Sequence, residues 1–149
     1  MDHSFLPDTA ARGRRLAGEA SEKLREGDRQ GFREGYEALR KLFCENSDLV
    51  PLAESLGGLI RDMGAYHLER SDYIQLSGCV KDVRKLSGRF QGSAALAGDF
   101  AFLLAGMWSL KQRLGDLDDW AEYIPEILEL RLRFPEHAEI LAQYDKISK

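Results

Sequence analysis

Cysteine is nearly absent from this chain of 149 residues: there are two, Cys44 and Cys79. Two thiols make no disulfide framework and read as free thiols of a reducing compartment, so a cytoplasmic location is expected. Histidine is as rare. His3, His67 and His137 have no metal-ligand spacing on one helix, and no Cys-x-x-Cys occurs, so neither metal nor cofactor is expected. A basic excess is missing too: 21 Lys and Arg stand against 25 Asp and Glu, a net charge of −4, which argues against nucleic acid as a partner. The most apolar stretch, 94–108, contains Asp99 and is shorter than the roughly 20 residues that cross a bilayer. It reads as a buried core helix, and no membrane association is expected. The start, Met1 to Asp8, has neither the basic residues nor the apolar run of a signal peptide, and residues 1–8 are expected to be a flexible segment before a single domain.

Apolar residues recur at intervals of three and four through nearly the whole chain, and strict alternation is scarce. The prolines are only four, Pro7, Pro51, Pro125 and Pro135. Breaks in the pattern fall at Gly27-Asp28, Ser71-Asp72 and Gly115-Asp116, where a small residue tolerates the turn and an aspartate can cap the next helix. A second set falls at 45–48, 91–93 and 134–136. These signals predict an all-α fold of about seven helices: 9–26, 29–45, 48–69, 73–89, 93–114, 117–133 and 136–147. Pro51 suits a first turn, whereas Pro125 should kink or break its helix.

The helices repeat. Leu42, Leu86 and Leu130 are 44 residues apart; so are Leu39, Val83 and Ile127; Tyr36, Val80 and Ile124; Phe32, Leu76 and Trp120; and, in the other helix type, Leu52, Leu96 and Ile140. Asp28, Asp72 and Asp116 keep the same register. One period therefore holds two helices and two turns. Positions 32, 36, 39 and 42 lie on one helical face and predict a buried stripe.

Chemistry is sparse. Cys79 stands beside Leu76, Val80 and Val83 and reads as packing. Asp99 reads as the exposed face of an amphipathic helix, and no second acid is placed to make a catalytic pair. His67 lies near a helix end, where its charge would suit the dipole. Glycine and alanine crowd into 48–69 and 93–114, where interior glycine costs about 1 kcal/mol against alanine; close helix approach is the expected return. Lys81, Arg84, Lys85 and Arg89 make a basic stripe that reads as solvated, or as a site for an acidic peptide or for the acidic segment 116–129 of a neighbouring molecule. Acids concentrate later: residues 93–149 hold 6 basic and 10 acidic side chains.

The Gly-Asp turns, the aromatic and aliphatic positions Phe32, Tyr36 and Leu39, Ala38, and Gly64 seven residues before Ser71 resemble the tetratricopeptide repeat family. The chain departs from it in its 44-residue period, where that family has 34, and in a first helix about two turns longer. The resemblance implies antiparallel helical hairpins stacked as a short right-handed solenoid over 9–147, not an enzyme but a protein-interaction module. The first helix of each hairpin would line a concave groove, whose positions fall on Arg61, Glu69, Ser109, Gln112 and Arg113. The implied partner is another protein or peptide bearing acidic groups. The alternatives are a protein that self-assembles through its last helix, and a helical small-molecule binder or enzyme.

Overall fold

Helix starts fall where side chains satisfy free amides. Asp28 accepts from the Gly31 amide at 2.9 Å, Asp72 from Gln75 at 3.3 Å and Ser93 from Leu96 at 3.2 Å. The computed structural model describes residues 5–115 and 123–148. Among these are seven helices and no strand: α1 (Phe5–Arg25), α2 (Arg29–Glu45), α3 (Val50–Glu69), α4 (Tyr73–Arg89), α5 (Ala94–Leu114), α6 (Tyr123–Arg133) and α7 (Ala138–Ser148). The fold is therefore all-α, as expected. Of the segment expected to be flexible, residues 5–8 are helical, with Asp8 in the first turn where an acid favours the helix dipole. Pro51 stands in the first turn of α3. Pro125 is the third residue of α6, so it breaks nothing in the described helix; 117–122, with Trp120, and Asp116 lie outside the described residues.

Three backbone positions share one strained conformation. Gly27 (φ 80°), Ser71 (φ 55°) and Gly115 (φ 73°) are all left-handed and stand 44 residues apart. Only Ser71 bears a Cβ there, at a cost of roughly 1–2 kcal/mol. Ser71→Gly is expected to stabilise the fold by about 0.5–1 kcal/mol, since glycine's greater freedom in the unfolded chain offsets part of the relief. Urea unfolding showing no gain would mean that the turn holds serine without strain.

Packing follows chain order. α1 lies on α2 and α3 on α4, and α1, α3, α5 and α7 pack in succession. The even helices also touch the odd helix that follows, but among the described residues no comparable contact joins α2 to α4 or α4 to α6. Small residues bring the odd helices together: a Cβ on Gly13 would meet Leu52, and one on Gly57 would meet Leu96, the second pair lying 44 residues beyond the first. The glycines of these helices thus gain the close approach that offsets their low helix propensity.

The predicted stripe is buried at Leu39, Leu42, Leu76, Val80, Val83, Leu86, Ile127 and Leu130. Phe32 and Tyr36 of the same stripe are only half-buried, and Ile124 is 40% exposed. α6 rests on α5 over a smaller contact than α4 makes on α3, so its outer side, including Leu128 and Leu132, stays open. α5 runs beyond the stretch first read as too short for a membrane, and by length and composition it could cross one; most of its residues are nonetheless buried against other helices, as in a core helix.

Candidate functional site

The five residues expected in a groove do not converge. Arg61, midway along α3, donates to Glu139 of α7, through Nη2 at 3.2 Å and through Nη1, and Nη1 lies 3.4 Å from Oδ1 of Asp99 on α5. Its guanidinium sits 4.2 Å from the centre of the Phe102 ring. Arg113 is 14 residues beyond Asp99 on α5, about 21 Å along the helix, and donates to the Leu68 carbonyl at 3.2 Å. Each arginine thus ties neighbouring helices together. Glu69 and Gln112 are exposed, and Ser109 is half-buried.

Asp99 reverses its expectation, being 8% exposed. α5 is covered on nearly every side, so it has no solvated face on which a carboxylate could lie, and Arg61 supplies the partner a buried acid needs. Burial pushes the Asp99 carboxyl up to about 6, more than the charge and hydrogen bond of Arg61 pull it down; Glu139 and Asp62 add a smaller push. Burial opposes the Arg61 cation, but Glu139 and then Asp99 raise its pKa overall. Two more polar contacts bind the odd helices, Ser21 to Asp62 and Ser93 to Glu54. Lys111 is fully buried, with Nζ 5.2 Å from the centre of the Tyr73 ring and 5.9 Å from that of Tyr123, a site that nothing in the sequence flagged.

The opposite side of α3 carries a groove. Because α2 and α4 each lie on α3 without closing on one another, a channel remains between them. Leu56, Ile60 and Met63 of α3 form its floor, and Phe32, Tyr36 and Phe43 of α2 and Leu86 of α4 line it. It comprises two hollows of about 240 and 470 Å³ that share Tyr36. Arg29, Arg33, Arg40, Arg70, Lys85 and Arg89 line it, against Asp72 and Asp82. Compared with protein-family models, with curated proteins and with solved structures, the chain matches none.

The neighbouring pair of even helices differs. Arg84 of α4 grips Glu126 of α6 through two hydrogen bonds, at 2.7 and 2.8 Å. Forty-four residues earlier in each helix stand Arg40 and Asp82. Aspartate is one methylene shorter than glutamate, and no ion pair joins these two; Arg40 instead lies 5.7 Å from the centre of the Tyr36 ring. Arg84 and Glu126 therefore tie α4 to α6 in a pairing that Arg40 and Asp82 do not make between α2 and α4.

The expected basic stripe divides along the same line. Arg84 is held by Glu126, Lys85 and Arg89 line the groove, and Lys81 is exposed outside it. Arg89 also pairs with Asp48 at 3.2 Å and stacks near Phe43 and Phe90. Burial lowers the pKa of His67, against the pull of Asp72 at 3.8 Å, so its role at the helix end is that of a neutral imidazole. His137 accepts from the Ile140 amide at 3.3 Å and caps α7. Cys79 is buried, and burial pushes its thiol up to about 12, which leaves no thiolate at neutral pH, whereas Cys44 is exposed at the groove. Among the described residues no cluster of three metal-ligating side chains occurs.

Proposed function

We propose that the chain is a tetratricopeptide-like array of helical hairpins that acts as a protein-interaction module, holding a peptide or helix of a partner in the groove between α2 and α4. The observation that carries this reading is the groove itself, in which Leu56, Ile60 and Met63 are flanked by six cations and two acids. A solvent-accessible channel with an apolar floor and a polar rim has the composition of a recognition site. The array reading is supported by the left-handed turns at 27, 71 and 115 and by the two equivalent glycine–leucine contacts. It moves the recognition surface from the first helices of the hairpins to the channel between the second helices, because Arg61 and Arg113 are engaged within the fold.

The two thiols provide a test without mutation. Cys44 is exposed in the groove and Cys79 is buried, so a bulky maleimide should modify Cys44 alone. Peptides selected from an unbiased displayed library are expected to bind the native protein and to lose binding once Cys44 carries the label. Recovery of no peptide, or equal binding to the labelled protein, would remove the groove as the recognition site. A second reading, self-association through the last helices, is favoured by one observation: Ile124, Leu128 and Leu132 expose an apolar stripe at intervals of four on α6. Sedimentation that stays monomeric as the concentration rises would dispose of it.

A further inference from the structure

Granting that the groove holds a peptide, we infer that its occupant is an acidic segment of a partner protein, in which carboxylates alternate with aliphatic or aromatic anchors. The charge of the groove is the first reason. Six cations line it against two acids, on a chain whose net charge is −4. An acidic segment is therefore attracted here and repelled by the surface as a whole. Of these groups, Asp72 also caps α4, and Arg89 is paired with Asp48. Arg33 and Lys85 meet no carboxylate among the described residues.

The second reason is the contact the molecule makes with itself one register later. Arg84 takes a glutamate from α6 in a paired hydrogen bond, whereas Arg40, its counterpart, lines the groove with Asp82 and forms no ion pair with it. A glutamate on the occupant would supply to Arg40 the bond that Glu126 supplies to Arg84. One cation is also held in place for it. Arg70 lies against the Tyr66 ring, 3.5 Å from its centre, with Nη1 donating to the Tyr66 carbonyl, which leaves its other in-plane donors for a carboxylate. That arginine covers a ring face on which a base of a single-stranded nucleic acid would need to lie. The apolar floor of Leu56, Ile60 and Met63 takes the anchors.

From Arg29 to Phe43 the α2 wall is about 21 Å long, so a probe of about 14 residues spans it even if wholly helical. The experiment uses a fluorescein-labelled peptide of that length with glutamates and leucines at helical spacing, and the same peptide with every glutamate replaced by glutamine. Anisotropy titrations at low and high salt are expected to show the acidic peptide binding at least about tenfold tighter than the glutamine peptide, with the difference shrinking as salt rises. Arg33→Glu with Lys85→Glu should weaken the acidic peptide by about tenfold or more, and Lys81→Glu, on α4 but outside the groove, should leave it unchanged. Unfolding curves for all variants confirm that the fold is kept. Equal affinity for the two peptides, or indifference to the charge reversals, overturns the inference while leaving a groove that binds peptides of other composition. Tighter binding of a single-stranded oligonucleotide, or self-association that the same reversals abolish, also overturns it by naming another occupant. If neither peptide binds and the unbiased library also yields none, the peptide-site reading falls with it.

Discussion

Leu103→Ala is expected to cost about 2–5 kcal/mol of folding stability, and Gly64→Ala on the same background to restore part of that loss. Leu103 of α5 is fully buried, and its side chain fills the space that a Cβ on Gly64 of α3 would occupy. Leu76 and Cys79 of α4 border the same space, at 3.5 and 3.6 Å from that Cβ position. Truncation therefore opens a cavity where three helices meet, and few neighbours can collapse into it. In the native background Gly64→Ala pushes a methyl group against Leu103, and overpacking of this kind costs about 1–3 kcal/mol, offset in part by the better helix propensity of alanine. In the truncated background the same methyl group fills space. The two changes should thus couple by more than about 0.5 kcal/mol in a double-mutant cycle followed by urea unfolding. A loss below about 0.5 kcal/mol for Leu103→Ala, or strict additivity of the pair, would mean that α3 and α5 meet less closely than described.

The same close approach shows why the helices were legible and the groove was not. Asp28, Asp72 and Ser93 announce helix starts by local chemistry, and the described boundaries agree with the predicted ones within a few residues, apart from the predicted start at 117, which lies outside the described residues. The stripe is likewise a local pattern; it falls short at Phe32 and Tyr36, which line the groove, and at Ile124, where burial depends on how far α6 leans onto α5. Asp99 could not be placed from sequence because α5 is apolar all round, and such a helix has no face from which to read a direction. The groove depends on a contact that α2 and α4 do not make, which no single helix records. Its sequence trace was present but slight: Arg40 and Asp82 stand in register with Arg84 and Glu126, and only the second pair is joined. Arg61 was expected to meet a carboxylate of a partner protein, whereas the carboxylates at its guanidinium belong to α5 and α7 of the same chain.

That internal network sets a pH dependence with a definite sign. Burial raises the Asp99 carboxyl from 3.8 to about 6 in the folded protein, with Arg61 of α3 pulling the other way and Glu139 of α7 and Asp62 of α3 facing it as further charges. Between about pH 4 and 6 the folded state therefore binds the Asp99 proton more tightly than the unfolded chain does, and stability falls with rising pH on account of this group. The penalty is absent well below pH 4 and complete above about pH 6, where a difference of this size corresponds to about 3 kcal/mol. Asp99→Asn keeps the shape and the hydrogen-bonding oxygen but carries no charge, and Arg61 retains Glu139 as its counter-ion. The stability of Asp99→Asn relative to the native protein is thus expected to rise from about pH 4 to pH 6 and then level off. Because the other titrating groups are shared, subtracting the two stability profiles, each measured by urea unfolding across that range, isolates Asp99. A difference that stays flat, or that falls as pH rises, would show that Arg61 holds the carboxylate in its charged form and that the network stabilises the α3–α5–α7 contact through charge pairing.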